Sequence, residues 1–163
     1  MKYRFKGLNE YVEKLERLSN RFNAEACIEF AVQDGAAVVA DYTRKELENL
    51  PVDNRPFVAE GKRTSIMQVQ KVGLLHNFGT SPIQDRNNLI NIKTGVDDYN
   101  KIGQPNVKIA RSLERGTSFM PKNAVFTRAS RKARKPCLDA IQKSLNESIE
   151  AICANNFRRS KRK

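Results

Sequence analysis

At 163 residues the chain has the length of one ordinary domain, long enough to bury a core without disulfide or metal staples and too short for two large independent cores. Thirty Lys and Arg stand against 18 Asp and Glu, a formal net charge of +12, while aromatics are 7% and Trp is absent, which argues against an aromatic platform for stacking single strands. No apolar run approaches the roughly 18 residues of a spanning helix. The opening Met1-Lys2-Tyr3-Arg4-Phe5-Lys6 lacks the apolar core of a signal peptide, so a chain made and kept in a cytosol, without a membrane partner, is expected.

Leu8, Val12, Leu15, Leu18 and Phe22 recur at steps of three or four and predict a short amphipathic helix. A second, longer helix is predicted from the stripe Ala24, Cys27, Ala31, Gly35, Val38 and Tyr42, whose small residues allow another element to approach closely. Asn49-Leu50-Pro51 stops it, because proline disfavours a helical conformation in the residue before it. Pro51 to Gly61, with two prolines and little periodicity, reads as a long loop.

Gln68 to Phe78 fits a short helix with Val72, Leu75 and Phe78 inward, ended by Gly79 and then Pro82. The β-branched content of Leu89 to Val96 favours a strand, followed by a turn at Asp97-Asp98-Tyr99-Asn100. Behind Pro105, Val107, Ala110 and Leu113 keep helical spacing from Asn106 to Arg115, and Gly116 closes that helix. The last element runs from about Lys122 to Asn155 on a heptad-like stripe of Leu138, Ile141, Leu145, Ile149 and Ile152, extended backwards by Val125 and Ala129. Pro136 interrupts it and predicts a kink or a break. The expected fold is α+β, a small antiparallel sheet packed with a long N-terminal helix and a long C-terminal helix. One domain over residues 1–157 precedes a basic flexible tail at 158–163.

The positive charge is concentrated at the end. Residues 128–163 carry 11 basic and 3 acidic side chains, whereas residues 1–127 carry 19 and 15. Two blocks dominate: Arg128, Arg131, Lys132, Arg134 and Lys135, and then Arg158, Arg159, Lys161, Arg162 and Lys163. They are candidate contacts for DNA or for an acidic partner, without sequence-reading content of their own. Cys27, Cys137 and Cys153 sit beside aliphatic residues at wide spacing and read as small buried hydrophobes, and a lone His76 supplies no His-rich metal site. Asp53, Glu60 and Lys62 mimic the carboxylates and lysine of a metal-dependent nuclease, but the stretch holds two prolines and no strand pattern. No cofactor is expected.

Three stretches in fixed order are more specific than composition. They are Leu74 to Ile83 (LLHNFGTSPI), Asn91 to Asn100 (NIKTGVDDYN), and Gln104 to Ser118 (QPNVKIARSLERGTS), the last followed by Pro121 to Ala129. Together they resemble a family of bacteriophage tail-component proteins from the head–tail joining region (neck, tail completion) of long-tailed phages, over about residues 49–133. The motif positions are Gly79, Pro82, Gly95, Asp97, Tyr99, Pro105, Asn106, Glu114, Gly116 and Phe126. Where members tend to show a Gly-Phe-Asp-Gly-Tyr turn, this chain has Gly95-Val96-Asp97-Asp98-Tyr99. It also lacks the proline that members tend to carry before the last helix, having Asn123-Ala124-Val125-Phe126-Thr127-Arg128-Ala129 there.

The resemblance implies a structural virion protein at the head–tail junction, made in the host bacterial cytoplasm and associated with no reaction or cofactor. It implies partners of three kinds: copies of itself in a ring, hexameric where the tail has sixfold symmetry; adjacent neck and tail-tube proteins; and packaged DNA in the channel. The loops Pro51 to Gly61 and Ser81 to Asn88 are the expected partner contacts. The alternatives are a sequence-tolerant DNA-binding module using the basic C-terminal region and, behind it, the metal-dependent nuclease.

Overall fold

A residue repeated every fourth position on an α-helix does not stay on one face. Four residues turn the helix by about 400°, so the row drifts by about 40° at each step. In the computed structural model, which describes residues 24–55, 63–85 and 89–160, both long helices bury such a row. Helix α1 (Ala24–Glu48) buries Cys27, Ala31, Gly35, Val39, Thr43 and Leu47. Helix α4 (Val125–Ser160) buries Val125, Ala129, Ala133, Cys137, Ile141 and Leu145. Over those twenty residues each buried face swings by about 200°, which lets a single helix serve two cores.

The first core lies between the long helices. Ala31 and Val39 of α1 pack with Ala133, Cys137, Ile141 and Leu145 of α4, and Ile28, Val38 and Tyr42 cover the edge. The helices are antiparallel: Gly35 lies against Cys137 and Ile141, while Glu46, further along α1, reaches back to Arg128 and Lys132. The second core gathers Leu47, Leu50, Ile66, Leu74, Phe78, Ile109, Leu113, Met120 and Val125. It joins the far ends of the long helices to the middle of the chain.

That middle contains helix α2 (Gln68–His76), strands β1 (Phe78–Thr80), β2 (Gln84–Asp85), β3 (Ile90–Asn91) and β4 (Thr94–Val96), and helix α3 (Asn106–Arg115). The strands form one antiparallel hairpin in two ladders, β1 with β4 and β2 with β3. Phe78 pairs with Val96, Gly79 with Gly95 and Thr80 with Thr94; beyond them Gln84 pairs with Asn91 and Asp85 with Ile90. Ser81 extends the first ladder, its N–H donating to the Lys93 carbonyl (2.7 Å) and its hydroxyl accepting from the Lys93 N–H (3.0 Å). The register shifts by one residue between the ladders, so that Pro82 and Ile83 stand opposite Ile92 alone. A proline, which has no N–H to donate, suits that bulge.

The α+β expectation therefore holds, with the small sheet present as two two-stranded ladders between the two long helices in chain order. Several local expectations need correction. The inward stripe of α1 passes through Val39 and Thr43, with Val38 and Tyr42 only half-buried, and Leu138 of α4 is exposed while Ala133 and Cys137 are buried. A heptad stripe stays on one face; the observed four-residue rows do not. Helix α4 is continuous through Pro136, so no break divides it; burial of Ala133, Cys137 and Ile141 against α1 holds both sides of the missing hydrogen bond in place.

Helix α2 stops at His76 with Asn77 as its cap, and its fully buried side chain is Leu74. Val72 is exposed, Leu75 is half-buried, and Phe78 enters the core from β1. Gly79 is therefore a strand residue rather than a left-handed helix cap. The predicted strand Leu89 to Val96 is split into β3 and β4, and the Ser81 to Asn88 loop is in part the hairpin itself. The predicted helix from Leu8 to Phe22 lies outside the described residues.

The long helices approach closely at Gly35, where an added Cβ would stand 2.6 Å from Ile141 Cγ1, 2.7 Å from its Cδ1 and 3.2 Å from Cys137 Sγ. Gly35→Ala gains about 1 kcal/mol of helix propensity against an overpacking cost of typically 1–3 kcal/mol, and the short contacts favour the cost. We expect Gly35→Ala to unfold at lower urea than the parent. In a double-mutant cycle, Gly35→Ala in an Ile141→Ala background should be at least about 1 kcal/mol less damaging than alone.

Candidate interaction surfaces

The motif residues converge on the joints between the small elements. After β4 the chain turns through Asp98, which has φ of 60°. The Asp97 carboxylate accepts from the Asp98 N–H (2.8 Å), and the Asp97 N–H donates to the Asn77 carbonyl (3.2 Å). Buried Asn100 then closes the next turn on itself, its Oδ1 accepting from the N–H groups of Ile102 (3.1 Å) and Gln104 (2.9 Å). Tyr99 bridges to Pro105, the residue that caps α3, while its ring remains exposed.

Asn106, the first residue of α3, is fully buried. Its N–H donates to the Asp98 carbonyl (3.0 Å) and its Nδ2 to the Asp97 carbonyl (2.9 Å), so the helix start is tied to the turn from two sides. Its Oδ1 has no hydrogen-bond donor and faces Gly73 of α2, where an added Cβ would come within 2.9 Å of it and within 2.6 Å of Asn100 Cβ. Only glycine leaves room for α2 and the turn to meet there.

The other end of α3 builds the start of α4. Gly116 takes φ of 77° and its N–H returns to the Ser112 carbonyl (2.8 Å), closing α3 as expected. Thr117 Oγ1 accepts from the N–H groups of Phe119 (3.3 Å) and Met120 (3.1 Å). The Glu114 carboxylate then accepts from the N–H groups of Phe126 and Thr127 (3.1 Å each) and from the Thr127 hydroxyl. A carboxylate from one helix thus caps the N-terminus of the next, satisfying orphan donors and meeting the positive end of its dipole. Helix α4 thus begins without a proline in its first turn, with half-buried Phe126 packed on the second core.

The first basic block is sorted by this packing. Arg128 Nε and Lys132 Nζ both pair with Glu46 of α1 (2.6 and 2.5 Å), and Arg128 also reaches Asn123 Oδ1 (3.2 Å). Hydrogen bonds from Lys132 and then Arg128 hold the Glu46 carboxyl below its ordinary pKa. Arg131, Arg134 and Lys135 are exposed and make no ion pair among the described residues. Helix α4 continues through Arg158 and Arg159 to Ser160, and Lys161, Arg162 and Lys163 lie outside the described residues.

A second cationic surface was not singled out by sequence. Lys108, Arg111 and Arg115 are exposed on α3 and fall within about 60° of one another around its axis. They lie on the side opposite buried Asn106, Ile109 and Leu113. The signal was their i, i+3, i+7 spacing, hidden by the near balance of 19 basic and 15 acidic residues over residues 1–127.

The remaining candidates are occupied or apart. Asp53 Oδ1 accepts from Arg55 Nε (2.9 Å) and from the Arg55 N–H (3.2 Å); Oδ2 accepts from Arg55 Nη2 (2.6 Å), the Thr64 N–H (2.8 Å) and the Thr64 hydroxyl (3.2 Å). Arg55 first and then Thr64 hold its carboxyl well below the usual carboxylate range. Its role in the structure is to pin residues 51–55 to residues 63–67, where Val52 also bridges Ile66. Glu60 and Lys62 lie outside the described residues. Cys27 and Cys137 are buried, and burial pushes the Cys137 thiol up; the Cys153 side chain is outside the described set. Among the described residues no group of three His, Cys, Asp or Glu side chains gathers as for a metal ion, and no helix is long and apolar enough to cross a membrane.

Compared with known proteins, the chain matches no family model, no curated protein and no solved structure.

Replacing Glu114 by Ala leaves the N–H groups of Phe126 and Thr127 without their acceptor and should cost about 1–2 kcal/mol in urea unfolding; Glu114→Gln, which keeps one acceptor, should cost less. Glu46 supplies a pH test. Its folded pKa is lowered, so its contribution is present above the unfolded pKa and lost as pH falls through the folded one. The Tm advantage of the parent over Glu46→Gln should be measurable near pH 7, on the scale of about 1 kcal/mol or less for pairs with exposed cations, and should shrink progressively as pH falls below the ordinary Glu value of about 4.3.

Proposed function

We propose that the protein is a structural subunit of the head–tail joining region of a long-tailed bacteriophage, a non-enzymatic component of the neck or completed tail. It is made in the host bacterial cytoplasm and ends in the virion. It works in a ring of several copies, hexameric where the tail is sixfold, between adjacent neck and tail-tube proteins. The observation that carries this reading is Asp98. Family members tend to have glycine at this place in the turn, and Asp98 adopts φ of 60°, the left-handed region that glycine enters freely. The departure from the motif thus falls where the backbone takes a conformation natural to glycine; aspartate is among the few other residues that tolerate it.

The rest of the motif set supports the same reading. Gly79 and Gly95 pair across the hairpin, and Asp97, Tyr99, Pro105 and Asn106 build the turn into α3. Glu114, Gly116 and Phe126 join α3 to α4. Their spacing therefore answers to one connected backbone unit. Tyr99, Ile102 and Val107 are exposed within that turn and the first turn of α3, a place where a neighbouring subunit would remove apolar surface from water.

Two measurements test the reading. Light scattering with negative-stain imaging of the full chain, alone and mixed with the neck and tail-tube proteins of its own phage, should find rings in at least one condition; a monomer in every condition would count against it. The turn itself predicts that Asp98→Gly is neutral or stabilising by up to about 1 kcal/mol. Asp98→Val, branched at Cβ, should be destabilising by about 1–3 kcal/mol.

A further inference from the structure

We infer that the outer face of α3 is a binding surface for the phosphate backbone of duplex DNA, separate from the basic C-terminal region. Lys108, Arg111 and Arg115 form a straight strip about 10 Å long, all exposed, and none makes an ion pair among the described residues. The one acidic residue of α3, Glu114, turns away to cap α4. The backbone of Lys122 lies against Gly116, which anchors a fourth exposed cation beside the C-terminal end of the strip.

A duplex presents one phosphate per 3.4 Å of axis on each strand, a linear charge density comparable with that of three cations in about 10 Å. The chemistry favours this occupant over an acidic protein. Interface cores between proteins are anchored by aromatic side chains, and the outer face of α3 presents none. The same lack of aromatics removes the stacking that holds single strands. With backbone contacts only, binding is sequence-tolerant and steeply salt-dependent.

The inference does not rest on the phage reading, because it concerns the isolated full chain. Fluorescence anisotropy of labelled duplexes of two unrelated sequences, titrated with the protein at several salt concentrations, reads both affinity and salt slope. Lys108→Gln/Arg111→Gln/Arg115→Gln should weaken binding of both duplexes by about tenfold or more and flatten the log–log salt slope by about 3. Arg131→Gln/Arg134→Gln/Lys135→Gln should leave that α3-dependent part of the slope in place. If the α3 triple variant does not fold, as judged by its thermal melt, single Arg111→Gln should still lower the slope by about 1. An unchanged affinity and slope in the folded α3 variant would overturn the inference. So would tighter binding of poly-glutamate than of duplex, which would assign the strip to an acidic protein.

Discussion

The structure depends on the contact between α1 and α4, and that contact depends on small residues repeated at every fourth position. Ala31 and Gly35 on one helix and Ala129 and Ala133 on the other carry little side chain, so the backbones come close and Ile141 fills the space over Gly35. Because four residues overshoot one turn, the buried faces rotate along the helices. At one end they meet each other; at the other, Leu47 and Val125 have turned toward Leu74, Phe78 and Leu113. One long-helix pair thereby serves as the wall of both cores, and the hairpin and α3 need no separate support.

The small elements between the long helices are held less by apolar area than by side chains that stand in for backbone partners. Asn100 closes its own turn, Asn106 ties the start of α3 to the end of β4, and Glu114 caps a helix that begins eleven residues later. Lys71 does the same at the opposite polarity, its Nζ donating to the carbonyls of Glu48 and Leu50 where α1 ends. Asp53 anchors the approach to α2. Each satisfies donors or acceptors that a short segment cannot satisfy for itself, which is how a middle region with so little regular structure keeps a defined shape.

Folding also redistributes the charge. By count the excess belongs to the last 36 residues. In three dimensions part of it is answered, since Glu46 draws in Arg128 and Lys132. Meanwhile α3, with three cations and one acid, exposes all three cations on one side because its acid is used elsewhere. Among the described residues, clusters of exposed cations thus stand on α3 and on α4 at Arg131, Arg134 and Lys135.

Much of the architecture could be read from residue order alone. Apolar periodicity, Pro51, Pro105 and Gly116 located α1, α3 and the end of each, and the α+β class followed. Those signals are local: a proline or a capping glycine acts within a turn of its own position. What the sequence could not decide were matters that depend on a partner far along the chain. Whether Val38 or Val39 faces inward, whether Pro136 breaks a helix, and whether Gly79 caps a helix or pairs with Gly95 are set by packing across the fold. The same holds for the candidate surfaces. Sequence determined that the protein is basic and where the charges cluster by count; only the tertiary structure decided which cations stand free, because that rests on where Glu46 and Glu114 end up.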